Sequence, residues 1–146
     1  MSYTSLQYHL IFSTKQRRPW LHADVMPRLV RFIGGTVRSL GGSLIEGHGP
    51  ADHIHLAAVL PPTRTVSEML RDIKANSSRW VHESFGALRA FGWQDGYAAF
   101  AVSLSVMPKV VDYIRRQVAH HKKTTFEEEM VQLLTRHGIE FDRRYI

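Results

Sequence analysis

From Leu6 to Ser13, apolar Leu6, Tyr8, Leu10 and Phe12 recur at every second position, which predicts a strand. Met26, Leu29, Val30, Ile33, Val37 and Leu40 recur at helical spacing, with Asp24 as an N-terminal cap and Gly41-Gly42 as the stop. Gly34-Gly35 in the middle of that helix either weakens it by about 1 kcal/mol per glycine or marks a close packing contact. Two short strands follow, Ser43 to His48 and His53 to Leu60, joined through a Gly49-Pro50 turn. Thr65-Val66-Ser67-Glu68 spells a capping box ahead of an amphipathic helix that ends near Gly86. A strand from Tyr97 to Ser103 and a helix from Ser105 to His121 come next, with Pro108 tolerated in the first turn. Thr125 opens a last helix, which Gly138 ends.

The order β-α-β-β-α-β-α-α predicts an α+β fold, a ferredoxin-like (RRM-like) split βαβ antiparallel sheet with helices on one face. With no repeat, low-complexity stretch or long linker, residues 1–146 are expected to form one domain.

Composition narrows the function. Nineteen Lys and Arg against 13 Asp and Glu give a net charge of +6 and a pI near 10.0, which favours a polyanionic partner, nucleic acid first among them. The absence of cysteine excludes disulfides, thiolate zinc sites and cysteine nucleophiles. No apolar run approaches the ~20 residues that span a bilayer, and no signal peptide opens the chain, so a soluble, cytoplasmic protein without membrane contact is expected.

Two constellations carry chemistry. Along His53-Ile54-His55-Leu56-Ala57-Ala58-Val59-Leu60, alternation turns Ile54, Leu56, Ala58 and Leu60 to the core and both histidines to the other face. Strand rise sets them about 6–7 Å apart, within reach of one divalent ion, with Asp52 beside them to orient an imidazole or to ligate. About 0.5 His-x-His pairs are expected by chance in a chain with nine histidines, so a packed or surface pair is the competing account. On the penultimate helix, Tyr113 and Gln117 lie four apart at the edge of an apolar stripe. They are either an ordinary interfacial pair or a nucleophile beside a metal-ligating amide oxygen. A phenol attacks poorly at neutral pH unless its proton is removed or its target activated. Two imidazoles and an amide oxygen make a mixed site suited to Mg²⁺ or Mn²⁺.

Read together, Tyr8 to Arg18, Asp52-His53-Ile54-His55-Leu56 and Tyr113-Ile114-Arg115-Arg116-Gln117 resemble the first strand and basic loop, the histidine-hydrophobic-histidine (HUH) motif and the tyrosine helix of the insertion-sequence 200/605 transposases of the TnpA type. Trp93-Gln94-Asp95-Gly96-Tyr97, His120-His121 and Thr125 to Glu129 are similar to further features of that family. The resemblance runs in order along nearly the whole chain. It implies a metal-dependent, single-stranded DNA transposase that recognises hairpins at element ends and cleaves and rejoins strands through a 5′-phosphotyrosine. It also implies a homodimer, Tyr113 as the catalytic nucleophile, and His53, His55 and Gln117 as ligands of Mg²⁺ or Mn²⁺. Arg116 departs from the Asn common at that place in the family.

Charge sketches the DNA surface: Lys15, Arg17 and Arg18 in the loop after the first strand, with Arg71 and Lys74 on the second helix as phosphate contacts or an ordinary solvated face. Trp20 and Trp80 are read as core residues or as stacking platforms for bases. Glu127-Glu128-Glu129 is read as a favourable first helical turn. The competing function is a catalytically inactive or domesticated single-stranded DNA-binding regulator on the same fold, which a covalent adduct would distinguish. A phosphoesterase acting on small substrates would need a second catalytic histidine motif, and none stands in a suitable strand.

Overall fold

In the computed structural model, which describes residues 1–146, the alternating segment becomes the central strand β1 (Gln7–Ser13). It pairs antiparallel with β3 (His53–Val59) on one side and with β4 (Ala98–Ala101) on the other. The edge strand β2 (Ser43–His48) pairs antiparallel with β3, giving the order β2-β3-β1-β4 of a split βαβ sheet.

Helices α1 (Met26–Ser39) and α2 (Val66–Ser84) lie on one face of this sheet, as alternation requires. Leu10, Phe12, Ile54, Leu56 and Ala58 point at Leu29, Ile33, Met69 and Ile73 in the main hydrophobic core. The Thr65 box is present, its hydroxyl accepting from the Glu68 amide and the Glu68 carboxylate accepting from the Thr65 amide. Asp24 is not the cap of α1. The turn before Met26 is already helical, and the amides of Val25 and Met26 both bond to the His22 carbonyl, so the backbone satisfies them. Trp20 packs on Phe91, and Trp80 stacks on Phe32, so both indoles serve the core.

The second face of the sheet is covered as well. Helix α3 (Met107–Arg115) packs Met107 and Ile114 on Ala57. The final helix α5 (Phe126–Arg136) packs Met130 and Leu133 on Ile11 and Phe100. The helix expected from Ser105 to His121 breaks at Arg116, and α4 (Gln117–His120) continues it. Neither Pro nor Gly stands at the break; it falls one residue before Gln117, whose buried side-chain amide reaches across to α5. Gly138 adopts φ +68 just past α5, the left-handed conformation that ends a helix. No helix is long and apolar enough to cross a membrane.

Candidate active site

The second sheet face carries the polar residues. Register sets Ser13 opposite His53, Ile11 opposite His55 and His9 opposite Ala57, so His9, His53 and His55 share the side covered by α3 and α5. All three imidazoles are buried.

Between them lies one carboxylate. Glu129, 1% exposed, enters from α5. Its Oε1 lies 3.1 Å from His55 Nε2, 3.0 Å from His121 Nε2 and 3.3 Å from His53 Nε2. Its Oε2 accepts from the Tyr113 hydroxyl and, at 2.9 Å, from the Gln117 side-chain amide, with His120 Nε2 at 3.5 Å. Burial alone would raise its pKa, but the His121, His53 and His55 imidazoles around it hold it far below the usual carboxylate range. It is an anion in a cage of donors.

The same cage sets the neighbours. Burial pushes the Tyr113 phenol well above its ordinary value, and the Glu129 charge and hydrogen bond push it further. His55 falls to about 4 because burial penalises its cation. His9 falls to about 3 through burial and the neighbouring His55. His53 goes the other way: burial lowers it, yet the neighbouring Asp52 and Glu129 carboxylates outweigh that and raise it.

Each histidine of the His-x-His pair is oriented from behind. His53 Nδ1 lies 2.7 Å from Asp52 Oδ1, which turns Nε2 towards Glu129. His55 Nδ1 lies 2.8 Å from His9 Nε2, so β1 buttresses the imidazole that β3 presents. Asp52 is held in turn, its carbonyl accepting from the Thr14 amide and hydroxyl at the root of the basic loop.

The structure therefore brings His53, His55, Tyr113 and Gln117 together around one point, although they come from β3, α3 and α4. Sequence reasoning gave Glu129, His121 and His9 no site role, although His120-His121 and Thr125 to Glu129 stood out as similar to family features. Glu129 did carry a signal: it lies at i+3 of the stripe Phe126, Met130, Leu133, an acid on the buried face of a helix. His121 has no local pattern; its Nδ1 is tied to the Thr124 carbonyl at 2.7 Å, which turns Nε2 inward.

A divalent ion fits this donor set. One ligand atom from each of His53, His55, His121 and Glu129 lies within 4.8 Å of the others. Three buried side-chain atoms at the cluster, His53 Nε2, His120 Nε2 and Gln117 Oε1, have no hydrogen-bond partner, and rotating the Gln117 amide exchanges its oxygen with its nitrogen.

The basic residues expected at the DNA surface divide. The Lys15–Arg17 turn sits beside the cluster, with Gln16 and Arg17 both at positive φ, strained for non-glycine residues. Arg17 lies over the Phe126 ring, which itself packs on His53. Lys15 is exposed, and Arg18 lies over Trp20. On α2, Arg71 is exposed beside Asp72. Lys74 is engaged inside the protein: its ammonium donates to the carbonyls of Gln94 at 2.8 Å and Gly96 at 2.5 Å, and it lies over the Phe12 ring. Its cation holds a loop.

Comparison with known proteins completes the picture. The family model described as transposase IS200-like matches residues 2–117, ending at Gln117 and short of His121 and Glu129. The transposase for insertion sequence element IS200 of Salmonella typhimurium is 31% identical over 126 residues, covering 80% of this chain and 79% of that protein. The ISDra2 transposase TnpA of Deinococcus radiodurans is 25% identical over 117 residues, covering 77% and 84%. Among solved structures, one described as a putative transposase from Deinococcus radiodurans superposes with a TM-score of 0.66 at 24% identity, covering 80% of this chain and 93% of that one. A REP-associated tyrosine transposase bound to a REP hairpin superposes with a TM-score of 0.61 at 20% identity, covering 83% and 72%.

Proposed function

The chain belongs to the IS200-like transposase family, and from that premise we propose that residues 1–146 form one HUH tyrosine transposase domain, a metal-dependent endonuclease and strand transferase for single-stranded DNA. One observation carries this reading. A tyrosine hydroxyl and both imidazoles of a His-x-His strand converge on a single buried carboxylate, with the Tyr113 and His55 rings 5.8 Å apart.

In the proposed reaction, Tyr113 Oη attacks the scissile phosphorus. The new P–Oη bond forms as the P–O3′ bond breaks, so the 5′ phosphate stays on the protein as a tyrosine ester. The phenol gives up its proton and the departing 3′ oxygen gains one, which balances the step. Attack of another 3′ hydroxyl on the ester reverses it and rejoins strands. The phosphodiester is conserved as an ester throughout, so no outside energy source is required.

His53, His55 and Gln117 are the residues that would hold the ion, with His121 and Glu129 within reach. Mg²⁺ or Mn²⁺ bound there supplies positive charge that polarises the scissile phosphate and stabilises the departing 3′ oxygen. The protein's own part is orientation. Asp52 and His9 aim the imidazoles, and the Glu129 bond holds the phenol inside the cluster, protonated until substrate arrives. Hairpins near element ends are the proposed partner, met by Lys15, Arg17 and Arg18 beside the cluster, and a homodimer is the proposed working unit. Tyr113 already lies against the histidine pair of its own chain.

The test is a denaturing gel of the protein with single-stranded oligonucleotides copied from the DNA flanking its gene. Runs with Mg²⁺, Mn²⁺ or chelator compare the wild type with Tyr113→Phe. A metal-dependent covalent band present only in the wild type supports the reading. Binding without an adduct on any strand would favour the inactive regulator instead.

A further inference from the structure

Two solvent-open grooves flank Tyr113, and their walls are basic. One, about 480 Å³, runs between α3 and α5 and includes Lys109, Arg116 and Arg136. The other, about 420 Å³, lies on the α4 side and includes Arg116, Lys122 and Lys123. Tyr113 and Arg116 belong to both, and no carboxylate lines either one. We propose that these grooves form one track for the single strand being cut, its phosphates held by Lys109 and Arg136 on one side of Tyr113, by Lys122 and Lys123 on the other, and by Arg116 between them. This rests on the reading of Tyr113 as the nucleophile and adds the path of its substrate.

Several observations converge. Lys109, Arg136, Lys122 and Lys123 are exposed, and none of them has an acidic partner among the ion pairs of the structure. Arg116 pairs only with Asp112, at 2.8 Å, with both side chains largely exposed, a contact weak enough for a phosphate to displace. Helix electrostatics gives an ordinary reason for cations at Arg136, Lys122 and Lys123, which stand at or just after helix C-termini. It gives none for Lys109, which occupies the first turn of α3, where the helix dipole disfavours a cation and no acid stands in that turn. Arg136 lines the first groove together with Tyr113 itself, so a phosphate seated there lies beside the proposed nucleophile. Between the cations the first groove is walled by Val102, Val106 and Val110, apolar surface for sugars and bases.

The experiment measures binding of the full-length protein, by fluorescence anisotropy over a range of salt, to a labelled hairpin with a single-stranded thymidine tail and to the same hairpin without it. Lys109→Gln/Arg136→Gln and Lys122→Gln/Lys123→Gln are compared with wild type, with melting curves to confirm that these surface changes leave folding intact. Each single-strand phosphate contact contributes about 0.7 to the salt slope, so each double variant should flatten the tailed-probe slope by about 1.4 and weaken binding roughly 25-fold at 0.1 M salt. The tailless hairpin should be bound as before. Unchanged affinity for the tail, equal losses on both probes, or a wild type indifferent to the tail would each overturn the track. Tyr113→Phe separates the two readings: wild type that never forms an adduct overturns the nucleophile, while tail-specific losses in the lysine and arginine variants still support the grooves.

Discussion

The Tyr113 hydroxyl donates to Glu129 Oε2 across the space between α3 and α5, sixteen residues apart in the chain. The same carboxylate receives His55 and His121 on its other oxygen, so the proposed nucleophile and the His-x-His strand are coupled through one side chain. Glu129 stabilises the protonated phenol and is itself stabilised as an anion, and each preference reinforces the other.

Replacing the carboxylate by an amide should therefore loosen the phenol. In Glu129→Gln the negative charge beside Tyr113 is gone, so the phenolate is no longer repelled and the phenol pKa should fall by at least about one unit, equivalent to about 1.4 kcal/mol. The ¹³Cζ chemical shift of Tyr113, assigned against Tyr113→Phe and followed with pH, measures this. An unchanged value would mean that burial alone holds the proton.

Much of this architecture was legible in the sequence, and the gaps have physical causes. Period-two alternation located β1 and β3 because one side of the sheet meets a dry core, and it turned His53 and His55 to the opposite side. The capping box at Thr65 was legible because capping is local chemistry. The break at Arg116 was not, since it lies beside a long-range contact of Gln117 with α5 and no local breaker marks it. Glu129 hid among three consecutive glutamates that suit a helix N-terminus on their own. Only the third faces inward, and its partners lie 8 to 76 residues away in sequence.

Acid should unfold the metal-free protein earlier than its composition suggests. His9 and His55 are depressed in the folded state to about 3 and 4 from about 6.5, so below pH 6.5 the unfolded chain binds more protons. Stability is then full above about pH 6.5 and falls as pH drops towards 3. Glu129, also depressed, adds a loss that begins as pH falls through its unfolded value near 4.5. We expect the melting temperature in chelator to fall steadily from pH 6.5 to 4, and His9→Phe to flatten that slope. An identical slope in the variant would remove His9 from this account.

Asp52 should matter to metal binding more than to folding. It is half-buried and holds His53 through Nδ1, and losing such an orienting partner typically weakens metal affinity about 10- to 100-fold. Calorimetric titration of Asp52→Ala with Mn²⁺ should show that loss beside a near-native melting curve. Wild-type affinity would mean that the strand alone aims the imidazole.

Lys74→Met should report on stability and leave DNA binding alone. Methionine keeps an unbranched apolar stem but loses the cation over the Phe12 ring and both bonds to the 94–96 loop, at a cost of about 1–2 kcal/mol in urea unfolding. Affinity for the tailed hairpin should stay at the wild-type level. Weakened DNA binding with unchanged stability would return Lys74 to the interface.

Two glycines should respond oppositely to alanine, and the contrast tests the entry to β3. Gly49 leads the turn from β2 into the His-x-His strand, and a Cβ there would lie 2.2 Å from the His53 carbonyl oxygen and 3.0 Å from Ile54 Cα. Those are backbone atoms of a strand paired on both sides, so they cannot swing aside as a side chain would. Gly49→Ala should cost about 2–3 kcal/mol and displace His53 from Glu129. Gly35 lies in α1 with nothing within 4 Å of its would-be Cβ, so of the two accounts of the Gly34-Gly35 pair it fits the plain helix penalty. Gly35→Ala should gain about 0.5–1 kcal/mol by restricting the unfolded chain and favouring the helix. Melting curves for the pair decide the point. Equal effects would mean that glycine content alone sets the stability, whereas opposite signs place the constraint at the turn that delivers His53.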